Sequence, residues 1–456
     1  MRHPMAYIIP IIFVSLFWLG MTPVPARMPT HSASFDTLAH EYTDAYLGLD
    51  VPPLTVSWAD NMSAEFKAAP KLDAQKKFFT DMQARLAMVE PQHLNACQTI
   101  NHQILRYETR LNLARLPIAQ AYVDNPPTSQ SDLGYASFPQ GQDWYDWYLQ
   151  KWLSTNITPN EIMAFGQREV SKALAELAKL EADIIASGTA KNIAEFIKTK
   201  STRYDNETSI LAAFKDRQSR IEQNLDKLFV AYDIAPIGIK PNTNPAMARA
   251  PGYYTPPDFY YGWDGASYRA QDTDYLYLHE GVPGHHFQFQ IADKYKSCTF
   301  IMPQIFYSTF AEGWAAYVET LGAELGVYDS FETRLGAIDW NLIRSARTYL
   351  DVAINHRGWS NAQAHTYWRE NLPAHLADLA AREIKRMRDW PAQVITYKVG
   401  ADAILRLKAS EQKRLGKDFD IRKFHDTLLR IGPIPIEILD DAYTALDAAL
   451  DGVSHD

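Results

Sequence analysis

The stretch Tyr277-Leu278-His279-Glu280-Gly281-Val282-Pro283-Gly284-His285-His286-Phe287-Gln288 holds the densest chemistry of the chain. A His followed at once by a Glu, with a further His one to two turns on, is how a helix offers two imidazoles to one zinc beside a carboxylate that activates water. Histidines four residues apart are separated by about 40° around a helix and about 6 Å along it, so both reach one ion. His279 and His285 are instead six apart, roughly 240° on a regular helix, and so on different faces. Pro283 and Gly284 supply the remedy. Pro donates nothing to the helical ladder and Gly tolerates unusual dihedrals, so the pair is expected to bulge out, leaving in effect His-Glu-x-x-His. His286 is the rival second ligand; it shares the face of His279 but lies about 10 Å along it, too far for two bonds of about 2.1 Å to one ion. His285 is preferred.

Two imidazoles leave a catalytic zinc short of a protein ligand, and a Glu from a following helix is the usual third. Phe310-Ala311-Glu312-Gly313-Trp314-Ala315-Ala316-Tyr317 offers Glu312, whose neighbouring Gly and Ala residues let its helix approach the first closely. Glu319, on the same face, ranks second, as a partner orienting a histidine from behind. Glu280 is then the expected general base, taking a proton from water and returning it to the leaving amine.

Outward from this pair of motifs, the pattern is helical. Phe35, Leu38, Tyr42 and Tyr46, then Ile104, Leu105 and Leu111, recur at helical steps. Asp124 to Gln142 reads as a loop or hairpin. Thr158, Pro159 and Glu161 form a capping box that opens a helix running to about Ile185, and a second long helix is expected from about Ser209 to Tyr232. Residues 236–266 change character, with Pro251-Gly252-Tyr253-Tyr254 and Phe259-Tyr260-Tyr261-Gly262 reading as short strands. The expected fold is mainly α: a large helical, bundle-like domain with a small β-sheet beside the zinc-site helix, its helical half at 27–235 and its zinc-site half at 236–456.

At the N-terminus, Arg2 and His3 lead into an apolar run from Ala6 to Gly20, followed by Val24-Pro25-Ala26. The run is short for a spanning helix and the small residues suit signal peptidase, so 1–26 is read as a signal peptide, with an uncleaved anchor as the alternative. No Cys follows the run, so a lipid anchor at such a Cys is not expected. The mature chain is placed in the periplasm or outside the cell, without stable membrane insertion. A net charge of −9 over 456 residues argues against nucleic acid as a partner. The two cysteines, Cys97 and Cys298, either pair in an oxidising compartment or stay as separate buried thiols; neither has the spacing of a zinc ligand.

The run His279 to Gln288, then Phe310 to Tyr317, resembles the bacterial domain-of-unknown-function family 885 (DUF885), grouped with zinc metallopeptidases of the gluzincin type. Arg344-Ser-Ala-Arg347 leading to Asp351, His356-Arg-Gly-Trp359 and Trp390-Pro-Ala-Gln-Val-Ile-Thr-Tyr-Lys-Val-Gly400 are similar to that family too. The resemblance implies a largely helical fold, a bound Zn2+ and peptide-bond hydrolysis. The segment before the first motif, Gly262 to Arg269, is shortened relative to the family pattern, which bears on substrate choice.

Beyond the motifs, Tyr397 and His356 are candidates to donate a hydrogen bond to the tetrahedral oxyanion. Arg344, Arg347 or Arg357 could clamp a substrate carboxylate, which would make the enzyme a carboxypeptidase. The leading expectation is an exported zinc peptidase, with His279, His285 and Glu312 as ligands, acting on a peptide or small amide. The alternatives are a noncatalytic periplasmic binding or scaffold protein, and a metal hydrolase of a non-peptide amide or ester.

Overall fold

The structure is a computed structural model that describes residues 31–51, 71–125, 134–137, 140–247, 250–263, 265–294, 298 and 305–453. The expected signal peptide lies outside the described residues.

Three helices open the described chain: α1 (His31–Leu47), α2 (Leu72–Ala87) and α3 (Ala96–Asp124). Phe35, Leu38 and Tyr42 of α1 meet Phe79 and Met82 of α2 in their own small core. Then follow α4 (Gly141–Leu153), α5 (Pro159–Ala186) and α6 (Ile193–Lys200). The expected capping box is present: the Thr158 hydroxyl accepts from the Glu161 N–H, and the Glu161 carboxylate accepts from the Thr158 N–H. Between Asp124 and Gln142 the described residues contain no strand, only a single 3-10 turn at 134–137.

After strand β1 (Arg203–Tyr204), α7 (Glu207–Glu222) is shorter than its apolar spacing predicts. The Asn224 side-chain amide captures the Arg220 and Leu325 carbonyls, and one 3-10 turn at Leu225–Lys227 replaces the rest of the expected helix. Strands β2 (Gly238–Pro241), β3 (Gly252–Thr255) and β4 (Asp258–Tyr261) form a sheet of order β2-β4-β3, with β2 and β4 parallel and β3 and β4 antiparallel. Alternation along β4 buries Phe259 and Tyr261, whose rings lie 5.1 and 5.4 Å from Phe214 of α7. β5 (Tyr268–Arg269) pairs with β1.

The site elements follow: α8 (Thr273–Glu280), α9 (His285–Lys294) and α10 (Ser308–Glu319). Behind them come α11 (Phe331–Asn355), α12 (Asn361–Asn371), α13 (Ala380–Asp389) and α14 (Thr396–Leu415), then α15 (Ile421–Ile431) and α16 (Leu439–Val453). The fold is mainly helical, and its small three-stranded sheet adjoins the site helix α8 through β3. One hydrophobic core runs from Ile100 to Leu446 and includes residues of both halves. Cys97, near the start of α3, is bonded to Cys298 behind α9, so of the two alternatives for the cysteines the pair is the one observed. No described helix is long and apolar enough to cross a membrane.

Candidate metal centre

The helix carrying the first motif does not bulge at Pro283; it stops and a second one starts. α8 ends at Glu280, and the Gly281 N–H closes the last turn on the Tyr277 carbonyl at 2.8 Å. α9 begins at His285, so the single helix with an insertion is replaced by two helices joined by a four-residue turn, 281–284. Gly284 is what lets the two ends touch: a Cβ there would fall 1.9 Å from the His279 carbonyl oxygen. The Trp314 indole N–H of α10 donates to the Pro283 carbonyl at 2.9 Å and pins the turn.

The break brings the imidazoles of His279 and His285 into an edge-to-face pair with centroids 4.8 Å apart. Their Nε2 atoms lie 3.3 and 3.4 Å from the same Glu312 oxygen, Oε2. Ligand atoms of these three residues all fall within 4.8 Å of one another. His286 is turned away: its Nδ1 is 3.0 Å from the Tyr254 hydroxyl and its Nε2 is 2.8 Å from the Ala235 carbonyl. A neutral imidazole can satisfy both by accepting from the tyrosine and donating to the carbonyl.

Glu319 stands behind His279, with Oε1 2.7 Å from Nδ1. Arg344 closes the chain by donating Nη1 to both Glu319 oxygens, at 2.7 and 2.6 Å. With Nδ1–H donating to Glu319, His279 Nε2 faces Glu312 and the cavity, carrying a proton there in the metal-free protein and presenting its lone pair to an ion once that proton is released. Burial by itself pushes the His279 imidazole down, but the Glu312 and Glu319 carboxylates outweigh it and hold the group at about 9. Burial would raise Glu312, yet the two imidazoles hold its carboxyl well below the usual carboxylate range.

The donor set therefore fits a zinc ion. Glu312 Oε2 is buried without a hydrogen-bond partner, two Nε2 atoms converge on it, and the pocket favours positive charge between them. Two imidazoles and one carboxylate, with one imidazole held by a carboxylate at its other nitrogen, is a donor set that suits zinc.

The three residues open on a cavity of about 510 Å³. Glu280 lines it and makes no hydrogen bond or ion pair among the described residues; burial raises its carboxyl. Tyr397 lines it as well, its ring stacked on that of His279 with centroids 5.8 Å apart and planes inclined by 27°. The Tyr397 hydroxyl accepts from Arg386 Nη2 at 3.2 Å and from Gln393 Nε2 at 3.4 Å, which leaves its own proton free to be donated. Tyr397 is placed by a chain of contacts from α11: Asp351 Oδ1 accepts the Ala392 N–H at 3.0 Å, holding the turn that starts α14. Gly313 next to Glu312 does not serve the approach to α8, as expected, but the approach to α14, where its Cβ would meet the Gly400 backbone at 2.5 Å.

The other expected residues are not used as the sequence alone implies. His356 caps α11, its ring 5.9 Å from that of Tyr145 and its Nε2 3.3 Å from Asp146 Oδ1, and it does not line the cavity. Arg357 bonds Asn160 at the surface, also away from the cavity. Arg344 and Arg347 do line it, but Arg344 is engaged by Glu319 and Arg347 by Glu383 at 2.6 Å. Arg386 and Gln393, which are not among the expected site residues, sit in the cavity instead. The signal for Arg386 was the run of cations at 382, 385 and 386, in which 382 shares a helix face with each of the other two.

Residues 121–442 match the family model described as "Bacterial protein of unknown function (DUF885)". That is well over half of the chain, and the chain belongs to this family. Two solved structures share the fold. A candidate lipoprotein from Colwellia psychrerythraea has a TM-score of 0.61 at 20% identity, over 92% of this chain and 74% of that one. A candidate lipoprotein of unknown function from Shewanella oneidensis has a TM-score of 0.54 at 18% identity, over 90% and 76%. No curated protein matches the chain.

Proposed function

We propose that this DUF885 protein is an exported zinc-dependent peptidase of the gluzincin type. The observation that carries the reading is the convergence of His279 Nε2, His285 Nε2 and Glu312 Oε2 at the floor of a cavity that also holds the unpaired carboxylate of Glu280. Export is supported by the apolar N-terminal run, by the Cys97–Cys298 bond, and by the lipoprotein character assigned to both structural neighbours.

His279, His285 and Glu312 would hold the ion, which when bound supplies Lewis acidity toward water and the scissile carbonyl. The remaining steps belong to side chains. Glu280 takes a proton from water as the water oxygen bonds to the carbonyl carbon. It then delivers that proton to the amine nitrogen as the C–N bond breaks. A carboxyl raised by burial is a better proton carrier near neutral pH than an exposed one. Tyr397 donates its free hydroxyl proton to the oxygen that gains charge. Glu319 and Arg344 do no chemistry; they keep His279 in the tautomer and orientation that present Nε2.

The test is metal analysis of protein purified without chelators, together with turnover of short peptides by wild type and Glu280→Gln. Stoichiometric zinc in both, with a rate loss in the variant on the order of 10²- to 10⁴-fold, is the expected result. Absence of zinc even after its addition would favour a noncatalytic scaffold, and full hydrolysis by the variant would remove Glu280 from the mechanism.

A further inference from the structure

Five cationic side chains line the cavity: Arg344, Arg347, Arg382, Lys385 and Arg386. Four have carboxylate partners. Arg344 is held by Glu319, Arg347 and Arg382 share Glu383, and Lys385 pairs with Asp389 along α13. Arg386 has none among the described residues. Its Nη2 donates only to the neutral Gln393 Oε1, at 3.0 Å, and to the Tyr397 hydroxyl, while its Nε is buried without any partner. The guanidinium lies over the Trp390 ring, 5.9 Å from its centroid, and is favoured by the nearby Glu383 and Glu312 carboxylates, but it touches neither, so its fork holds no carboxylate directly. Its planar fork is suited to receive a carboxylate.

The two sides of the metal centre differ. On the His279 side stand Tyr397 and, bonded to it, Arg386. On the His285 side Phe289 stacks on the imidazole with centroids 5.5 Å apart and planes 2° from parallel, flanked by Tyr254 at 6.2 Å and Phe306 at 6.1 Å. Phe306 is 51% exposed, so this aromatic wall is open to the cavity mouth.

We propose that Arg386 receives the free C-terminal carboxylate of a short peptide, whose apolar or aromatic side chain on the other side of the cut lies against the wall formed by Tyr254, Phe289 and Phe306. This rests on the peptidase reading above. The bond broken is the C–N bond that links the acyl residue on the His285 side to the carboxylate-bearing part on the His279 side. Water contributes its hydroxyl to the acyl carbon and a proton to the released amine.

The experiment compares N-acetyl-phenylalanyl-alanine, with a free carboxylate, against its C-terminal amide. kcat/KM is measured for wild type, Arg386→Gln and Arg386→Lys, and binding of both compounds to Glu280→Gln is measured by calorimetry with and without Arg386→Gln. Wild type should favour the acid by about 100-fold, the scale expected of a desolvated charge pair. Arg386→Gln should bring the acid-to-amide ratio within a few-fold of one, chiefly through KM, and Arg386→Lys should fall between. Equal rates on acid and amide in wild type, or a proportional loss on both in Arg386→Gln, would overturn the assignment while leaving hydrolysis intact. If neither compound is cleaved but the acid binds at least 10-fold tighter than the amide through Arg386, the carboxylate site stands and the peptidase reading falls. Equal binding, or binding of neither, overturns the site.

Discussion

Glu319 Oε1 lies 2.7 Å from His279 Nδ1, and the same carboxylate takes both bonds from Arg344 Nη1. A residue that never faces the cavity thus sets which nitrogen of His279 does. Glu319→Ala should weaken zinc affinity by about 10- to 100-fold while leaving the three ligands in place, read by titration against a competing chelator. An affinity equal to wild type would mean that His279 needs no support. Glu319→Gln should recover part of the loss.

Tyr397 accepts two hydrogen bonds, from Arg386 and Gln393, and so has one proton to give. Tyr397→Phe should keep the zinc content of wild type and lower kcat on a peptide by about 100-fold, the scale of one lost oxyanion donor. If KM rises instead and kcat is unchanged, Tyr397 acts in binding only.

Gly313 and Gly400 bring α10 and α14 into backbone contact, which puts Glu312 and Tyr397 on neighbouring helices. A Cβ on Gly400 would stand 2.0 Å from the Thr309 carbonyl oxygen. Gly400→Ala should cost about 1 to 3 kcal/mol of stability by overpacking and weaken metal binding as Glu312 shifts. Urea unfolding with and without zinc measures both, and an unchanged midpoint would show that the helices can part at no cost.

His425 is buried between Phe229, stacked at 4.5 Å, and the Tyr317 hydroxyl at 2.8 Å, with its Nδ1–H on the Leu228 carbonyl. Burial pushes this imidazole down to about 3. The unfolded chain takes up that proton near pH 6.5, whereas the folded one does not until about pH 3. Stability from this group is therefore complete above pH 6.5 and falls as the pH drops toward 3, by about 1.4 kcal/mol per pH unit at most. His425→Gln should flatten the acid limb of the stability profile between pH 6 and 4; the same slope in variant and wild type would contradict this account.

Much of the fold could be read from local pattern. The capping box at Thr158, the short strands between 236 and 266 and the helical N-terminal half follow from spacing and from turn residues, which act over a few neighbours. At the site, it is His285 and not His286 that faces Glu312, and Glu319 stands behind His279. The bulge at Pro283 was half legible: Pro and Gly announced an interruption, but a bulge and a full helix break look alike in sequence. The choice depended on whether Gly284 could abut the His279 carbonyl and whether Trp314 would hold the turn.

The sequence by itself determined the chemistry on offer: two imidazoles, a Glu beside the first, two further Glu residues on one helix, and a chain of helices to carry them. Those are matters of residue type and short-range spacing. The tertiary structure alone decided which charges are already neutralised. Arg344 and Arg347 sit in a recognisable motif, yet each is consumed by a carboxylate 25 or 36 residues away, while Arg386, in no motif, is left without one. A charge is available to a ligand only if folding has not paired it, and pairing is a property of what packs together rather than of what lies next in the chain.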